Sequence, residues 1–321
     1  MKTRKVYDCS NSAERPPHRS ENYGPKENDI MRGLKKYANV FDYEFIDNPT
    51  NADVIITNDI FPKDILSINK PRVKRMDGIF WQKAYLERNE PLKQAAMEAD
   101  WVIFISEYSE LSFRKLYHEL PKNHMVITNC VDSSVYFPLP KKFIPLQWVA
   151  CASNWAREEK RFNDLMVFAT EIIQPTSQLI LIGHCDMKVP SNVDVVGYIE
   201  DEREMNRFIN FGHMFVNLSY RDPCPKVVCQ ASNCHMPVFY ANSGGTKEVV
   251  NAGVGIVDPE ISDEVPRLNI DNMKQAYMEF KSNFRQLQLQ ARSTKANYME
   301  MLGSYFWVMD NAITGKLNEQ G

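Results

Sequence analysis

The stretch SYRDPCPKVVCQASNCHMPVFYANSGGTKEVV, residues 219–250, decides the fold. It runs as a polar loop, a helix-length segment, a short apolar strand ending at Tyr240, and a turn at Asn242–Thr246 that opens another helix. Asp222 and Gln230 stand eight positions apart, with Pro223 and Pro225 between them at the expected helix start. Proline is tolerated there because the first turn of a helix has no use for its missing N–H. Gly244 and Gly245 let the backbone approach a ligand closely, and the free N–H groups of the following helix favour an anion. Two helix starts, each fed by a strand and a loop, suit a ligand carrying both hydroxyls and phosphates.

Outward from this stretch, strands and helices alternate, which predicts parallel sheets with crossover helices. Apolar runs at Val6–Cys9, Asp53–Thr57, Val73–Met76, Trp101–Ile105 and Met125–Thr128 read as strands, with helices at about 26–37, 82–98 and 107–117. A Pro- and charge-rich segment at 136–146 reads as the linker. Beyond it, strands are expected near 147–152, 178–183, 193–196, 213–218, 237–240 and 254–257, and helical patterns over about 271–312. The expected fold is α/β, two Rossmann-like parallel-sheet domains facing a cleft. Their expected bounds are 1–140 and 141–300, with a C-terminal helix at 301–321 packing back on the first.

At 321 residues the chain has room for two ordinary domains. A net charge of -3 gives no global basic footprint for non-specific nucleic-acid binding. No apolar run reaches the ~18 residues of a membrane span, and no apolar signal core follows the basic Met1–Lys5. Seven Cys, without a Cys-x-x-Cys pair, read as reduced thiols in a cytoplasmic protein. Cys224, Cys229 and Cys234 recur at fives, which does not place three metal ligands on one helix face. The six His are scattered and read as structural or exposed, with His18 alone near substrate.

The 219–250 stretch resembles the donor site of retaining glycosyltransferases of the two-Rossmann-domain (GT-B) type, and of family 4 in particular. That family carries a Glu-x7-Glu pattern followed by a Gly-Gly-x-x-Glu turn. Asp222 stands for the first acid and Gln230 for the second, with Gly244, Gly245 and Glu248 in the turn. Asn129-Cys130-Val131-Asp132 with Phe137-Pro138, Leu179–Gly183 and Val193–Tyr198 resemble further family segments, so the likeness covers about residues 100–258. The short chain is similar to a compact, viral or phage-type member, which would act in the host cytoplasm.

The resemblance implies transfer of a sugar from a nucleoside-diphosphate donor, a UDP-sugar first, to a hydroxyl acceptor, with no metal and no separate cofactor. A diphosphate leaving group gathers negative charge, which prepositioned cations and N–H groups stabilise. Ala152–Phe162 resembles the family's diphosphate clamp, with Lys160 in the Lys position and Arg161 where Gly is usual. Its partner is Arg157 or Arg161, and the same charges also read as a solvated helix start pairing among themselves. The implied catalytic group is Lys160, Arg157, Asp222 and Asp77. Asn154, Arg161, Lys226, Gln230, Gly244, Gly245, Thr246 and Glu248 are implied in substrate binding, together with Gly24 in the first strand-to-helix turn. In the family the second acid contacts the ribose. Gln230 keeps an acceptor there without the charge.

Lys74–Trp81 resembles an Arg-x-Asp-Gly signature on the acceptor side. Asp77 either orients an acceptor hydroxyl or caps a β-turn, and Phe80 and Trp81 either stack on a sugar or base or fill the core. Residues 10–22 read as a long loop at the cleft mouth. The acceptor is a glycan, a small molecule or modified DNA. Residues 1–146 carry 22 Lys and Arg against 20 Asp and Glu, a slight lean toward the last. A non-catalytic sugar-nucleotide-binding or scaffold protein is the alternative from another class, prompted by Gln230.

Overall fold

The computed structural model describes residues 3–10, 29–141, 146–173, 175–258, 260, 264–293 and 296–319. Gly24, His18 and the 11–22 part of the expected cleft loop lie outside them. The chain divides into two compact units, one of Met1–Asn129 with Met299–Gly321 and the other of Cys130–Tyr298.

The first unit holds a six-stranded sheet of β1 (Arg4–Asp8), β2 (Tyr43–Phe45), β3 (Val54–Thr57), β4 (Arg72–Met76), β5 (Trp101–Phe104) and β6 (His124–Val126). All neighbours are parallel, in the order β2-β1-β3-β4-β5-β6. Every residue of β3, Val-Ile-Ile-Thr, is buried, as a strand covered on both faces requires. The short β2 was not expected. Three residues carry too little alternation to read, and Asp42 turns into it through a left-handed backbone. The expected helix at 82–98 divides into a 3₁₀ stretch, Lys83–Arg88, and an α-helix, Asn89–Met97. Pro91 is accommodated in the first turn of that helix. The last helix, Tyr298–Glu319, packs within this unit. Phe306 lies 4.8 Å from the rings of both Phe41 and Tyr43, and Tyr305 Oη accepts from Arg75 Nε at 3.0 Å.

The second unit holds β7 (Gln147–Asn154), β8 (Gln178–His184), β9 (Val193–Gly197), β10 (Met214–Asn217), β11 (Val238–Ala241) and β12 (Gly253–Ile256). These are also all parallel, in the order β12-β11-β10-β7-β8-β9. Trp148 on central β7 anchors the core, with ring centroids 5.0 Å from Phe168 and 5.3 Å from Phe280. From β7 the chain builds outward to β9 on one side, then returns to place β10 on the other. Neighbouring loops therefore part between β7 and β10, and ligands of open α/β sheets settle at the strand carboxyl ends of such a switch point.

The division falls at Asn129/Cys130, ahead of the expected 140/141, because the Pro-rich segment is strapped onto the second unit. Asn233 Nδ2 donates to Val131 O at 3.1 Å, and Leu139 N donates to Asn210 Oδ1 at 2.9 Å. Lys141 Nζ donates to Gly212 O at 2.6 Å. The segment's described residues 136–141 lack strand or helix structure, and Phe137, Leu139 and Lys141 find hydrogen-bond partners on the second unit. Among the described residues no helix is long and apolar enough to cross a membrane.

Candidate functional site

The carboxyl ends of β7 and β10 bring the first two site segments together. After β7, Asn154 Oδ1 accepts from Ala156 N at 2.8 Å and turns the chain. A single 3₁₀ turn, Glu158–Lys160, then points the Lys160 ammonium at the loop after β10. Lys160 Nζ lies 2.9 Å from Asp222 Oδ2 and 3.5 Å from Ser219 Oγ. Ser219 Oγ in turn donates to Asn217 Oδ1 at 2.9 Å, and Asn217 Nδ2 reaches Thr246 Oγ1 at 3.5 Å. The Lys160 and Asp222 side chains remain 14% and 18% exposed, so the pair is sheltered but open on one side.

The glycine turn after β11 closes against the same loop. Gly244 has φ +68, and a Cβ there would meet Asp222 O at 2.3 Å, so any larger residue would displace the loop. Gly245 N donates to Asp222 O at 2.9 Å. Lys160, Asp222, Gly244, Gly245 and Thr246 thus converge although they come from three separate loops. The helix expected after the glycines is a single turn, Thr246–Val249, with half-exposed Glu248 in it. One turn sums few peptide dipoles, so the anion-attracting helix end expected there is reduced to local N–H groups.

The two candidate arginines separate. Arg157 pairs with Glu159 and its side chain is 41% exposed. Arg161 is buried and forks onto Asp258, its two terminal nitrogens 2.6 and 3.1 Å from Oδ2 and Oδ1. A guanidinium held that way is committed inside the unit. Arg157 also lines a cavity of about 530 Å³ with Trp155, Phe162, Met187 and Arg267. Lys226 opens the helix Lys226–Asn233, its ammonium 3.7 Å from Glu202.

Gln230 sits in the middle of that helix, whose residues from Val228 to Asn233 are all buried. It is 3% exposed, and its Oε1 is buried without a hydrogen-bond donor among the described residues. Such an orphaned acceptor costs about 1–3 kcal/mol. All seven Cys are free, and burial pushes the thiols of Cys130 and Cys151 up to about 12, which disfavours their thiolates. For Cys229, a hydrogen bond with Cys224 and then burial raise the thiol well above its ordinary range.

Asp77 belongs to the first unit, after β4, where its half-exposed carboxylate pairs with the buried Arg75 guanidinium. Arg75 also donates to Asn129 Oδ1 at 3.1 Å. Next to it, Lys74 is fully buried and donates from Nζ to Arg75 O at 2.7 Å. Phe80 is clamped by Asn89, which accepts from Phe80 N at 2.7 Å and donates to Phe80 O at 2.6 Å.

Several contributors were not anticipated. Ser219 and Asn217 relay between Lys160 and Thr246, and short polar residues at a strand end were the signal available for them. His184 and Tyr198 stack with ring centroids 4.9 Å apart at the ends of β8 and β9, a contact with no sequence pattern. Asp258 and Glu260, after β12, grip Arg161 and Arg221.

No family model matches the sequence, and no curated protein matches it. Solved structures do match over nearly the whole chain. Sucrose-phosphate synthase from Thermosynechococcus elongatus is 14% identical, covering 99% of this chain and 98% of its own, with a TM-score of 0.68. A glycosyltransferase from Rickettsia africae is 10% identical over 98% and 99%, with a TM-score of 0.63. Anabaena HepE, solved with UDP-glucose, is 13% identical over 98% and 99%, with a TM-score of 0.57. With its two six-stranded all-parallel sheets, the chain has the two-Rossmann-domain fold that these GT-B glycosyltransferases share.

Proposed function

We propose that this protein is a retaining glycosyltransferase that takes a nucleoside-diphosphate sugar, a UDP-sugar first, and passes the sugar to a hydroxyl acceptor. The observation that carries the reading is the half-sheltered Lys160–Asp222 pair at the switch point of the second unit, backed by the Gly244–Gly245 turn. Fold similarity to HepE, solved with UDP-glucose, supports the donor class. As the sugar–phosphate bond breaks, its electron pair passes to the diphosphate. Lys160, exchanging Asp222 for a phosphate oxygen, and Arg157 from its exposed position stabilise that charge. The acceptor oxygen bonds to the sugar carbon on the same face, and its proton goes to the departing phosphate oxygen. The protein's share is positioning and charge, so no strong general base is required.

Asp222, Thr246, Glu248 and the glycine N–H groups face the sugar and the near phosphate in this reading. The orphaned, buried Oε1 of Gln230 accepts from a ribose hydroxyl once the side chain turns toward the donor. Gln230→Ala is then expected to weaken UDP binding by about 0.5–1.5 kcal/mol, the net worth of a neutral hydrogen bond. Calorimetric titration checks this, and unchanged affinity removes Gln230 from the ribose.

Cationic side chains neutralise the diphosphate here, so transfer is expected to persist in excess chelator. Loss of transfer that magnesium or manganese restores contradicts a metal-independent mechanism. The reading as a whole is tested by incubating the protein with UDP-sugars and hydroxyl acceptors and following UDP release and glycoside formation. Binding of UDP without release or transfer from any UDP-sugar would favour a non-catalytic protein.

A further inference from the structure

Arg161 and Arg221 share an unusual state. Both adopt a left-handed backbone at φ 51, which residues with a Cβ rarely hold without outside constraint. Each directly neighbours a member of the Lys160–Asp222 pair. Their guanidinium carbons lie 4.7 and 5.2 Å from the ring centroid of Tyr220, which is fully buried. Each is also gripped by a carboxylate from the segment after β12. Asp258 takes Arg161 through two hydrogen bonds, while Arg221 Nη2 donates to the Glu260 backbone carbonyl at 3.1 Å and the Glu260 carboxylate stands 3.6 Å from Arg221 Nε as an ion pair. Glu260 extends its hold to the glycine turn, accepting from Ser243 Oγ at 3.1 Å and from Gly244 N.

We infer that Asp258 and Glu260 are positioning residues for the donor site, holding two left-handed arginines so that Lys160 and Asp222 meet. Two separate loops need a common reference to keep charged atoms 2.9 Å apart, and the segment after β12 touches both of them. Asp258 acts through Arg161 on the backbone that ends at Lys160. Glu260 acts through Arg221 on the backbone that begins at Asp222. At position 161 a charged residue occupies a conformation that glycine would take without strain, and the cost is offset by the fork to Asp258. The inference rests on the donor-site reading for its functional meaning, while its geometric content stands apart from it.

The test uses residue-resolved acetylation of Lys160 by an N-hydroxysuccinimide ester, read by mass spectrometry with exposed Lys188 as the reference. Asp258→Asn is expected to raise the Lys160 rate by roughly 5- to 30-fold, the population factor that matches the strain of one left-handed residue. Adding Arg161→Gly to Asp258→Asn is expected to return the rate toward wild type, because glycine needs no anchor. Restored protection is something a general loss of stability cannot produce. If Asp258→Asn does not fold, the pair Arg161→Gly and Arg161→Ala carries the test: glycine keeps Lys160 protected and alanine does not.

A folded Asp258→Asn with unchanged acetylation overturns the inference, as does a double variant no better than the single one, or equal behaviour of the glycine and alanine variants. UDP affinity, measured in parallel, is expected to fall and recover with the same pattern. Acetylation that follows the pattern while wild type ignores UDP supports the positioning and counts against the donor reading.

Discussion

Replacing Lys160 with Ala is expected to lower the rate constant for sugar transfer by about 10²–10³-fold, the usual cost of removing one charge-stabilising donor from a transition state. Donor affinity is expected to fall by less, about tenfold, the scale of a single charge-assisted hydrogen bond. The inequality follows from the chemistry, because diphosphate charge is greater when the glycosyl bond is breaking than in the bound donor. The loss is not a folding defect, since Asp222, 18% exposed, can turn to water when its 2.9 Å partner is removed. Steady-state rates with a UDP-sugar, beside a melting curve, separate the two effects. Near-normal turnover in a folded Lys160→Ala protein would take Lys160 out of the mechanism.

Lys74→Met is expected to stabilise the protein at pH 7 by about 2 kcal/mol. Burial lowers the Lys74 ammonium from 10.5 to about 8, outweighing the pull of Asp77 and Asp59. That difference corresponds to ~3 kcal/mol, from which about 1 kcal/mol is subtracted for the lost bond to Arg75 O. The sign follows from proton binding. Between pH 8 and 10.5 the unfolded chain holds a proton on Lys74 that the folded chain releases, so stability rises with pH across that window. Below pH 8 the full cost is present. Denaturant melts from pH 7 to 10.5 should show this slope in the wild type and its loss in Lys74→Met. A methionine variant that is less stable at pH 7 would mean that the ammonium is held by more than its one carbonyl partner.

Much of the second unit was legible because parallel strands write themselves as short apolar runs. Leu179–Ile182 in β8 and Phe215–Val216 in β10 are buried outright, and each stands where the periodicity placed it. The convergence of Asp222 with the glycine turn was legible too, since both sit at the ends of such strands. Interactions between residues distant in sequence were not. Arg161 reads in its own segment as a diphosphate ligand or as one of several charges pairing locally, and the carboxylate that commits it lies at Asp258, with no local pattern linking them. Gln230 reads as the ribose acceptor in place of the family's second acid, and nothing in its own segment shows that the helix around it is buried almost throughout. The 136–141 strap has the composition of a linker, and Asn206 and Asn210, which bind it, lie about seventy residues on, so its attachment to the second unit has no local signal.

The central claim is that a nucleoside diphosphate binds at the Lys160–Asp222 pair, and a crystal structure of the protein with UDP tests it most directly. The account predicts a diphosphate oxygen within hydrogen-bond reach of Lys160 Nζ, Asp222 released from its 2.9 Å contact, and the diphosphate resting against the Gly244–Gly245 turn. UDP seated instead among Trp155, Phe162 and Arg267, with the Lys160–Asp222 pair intact, would contradict it.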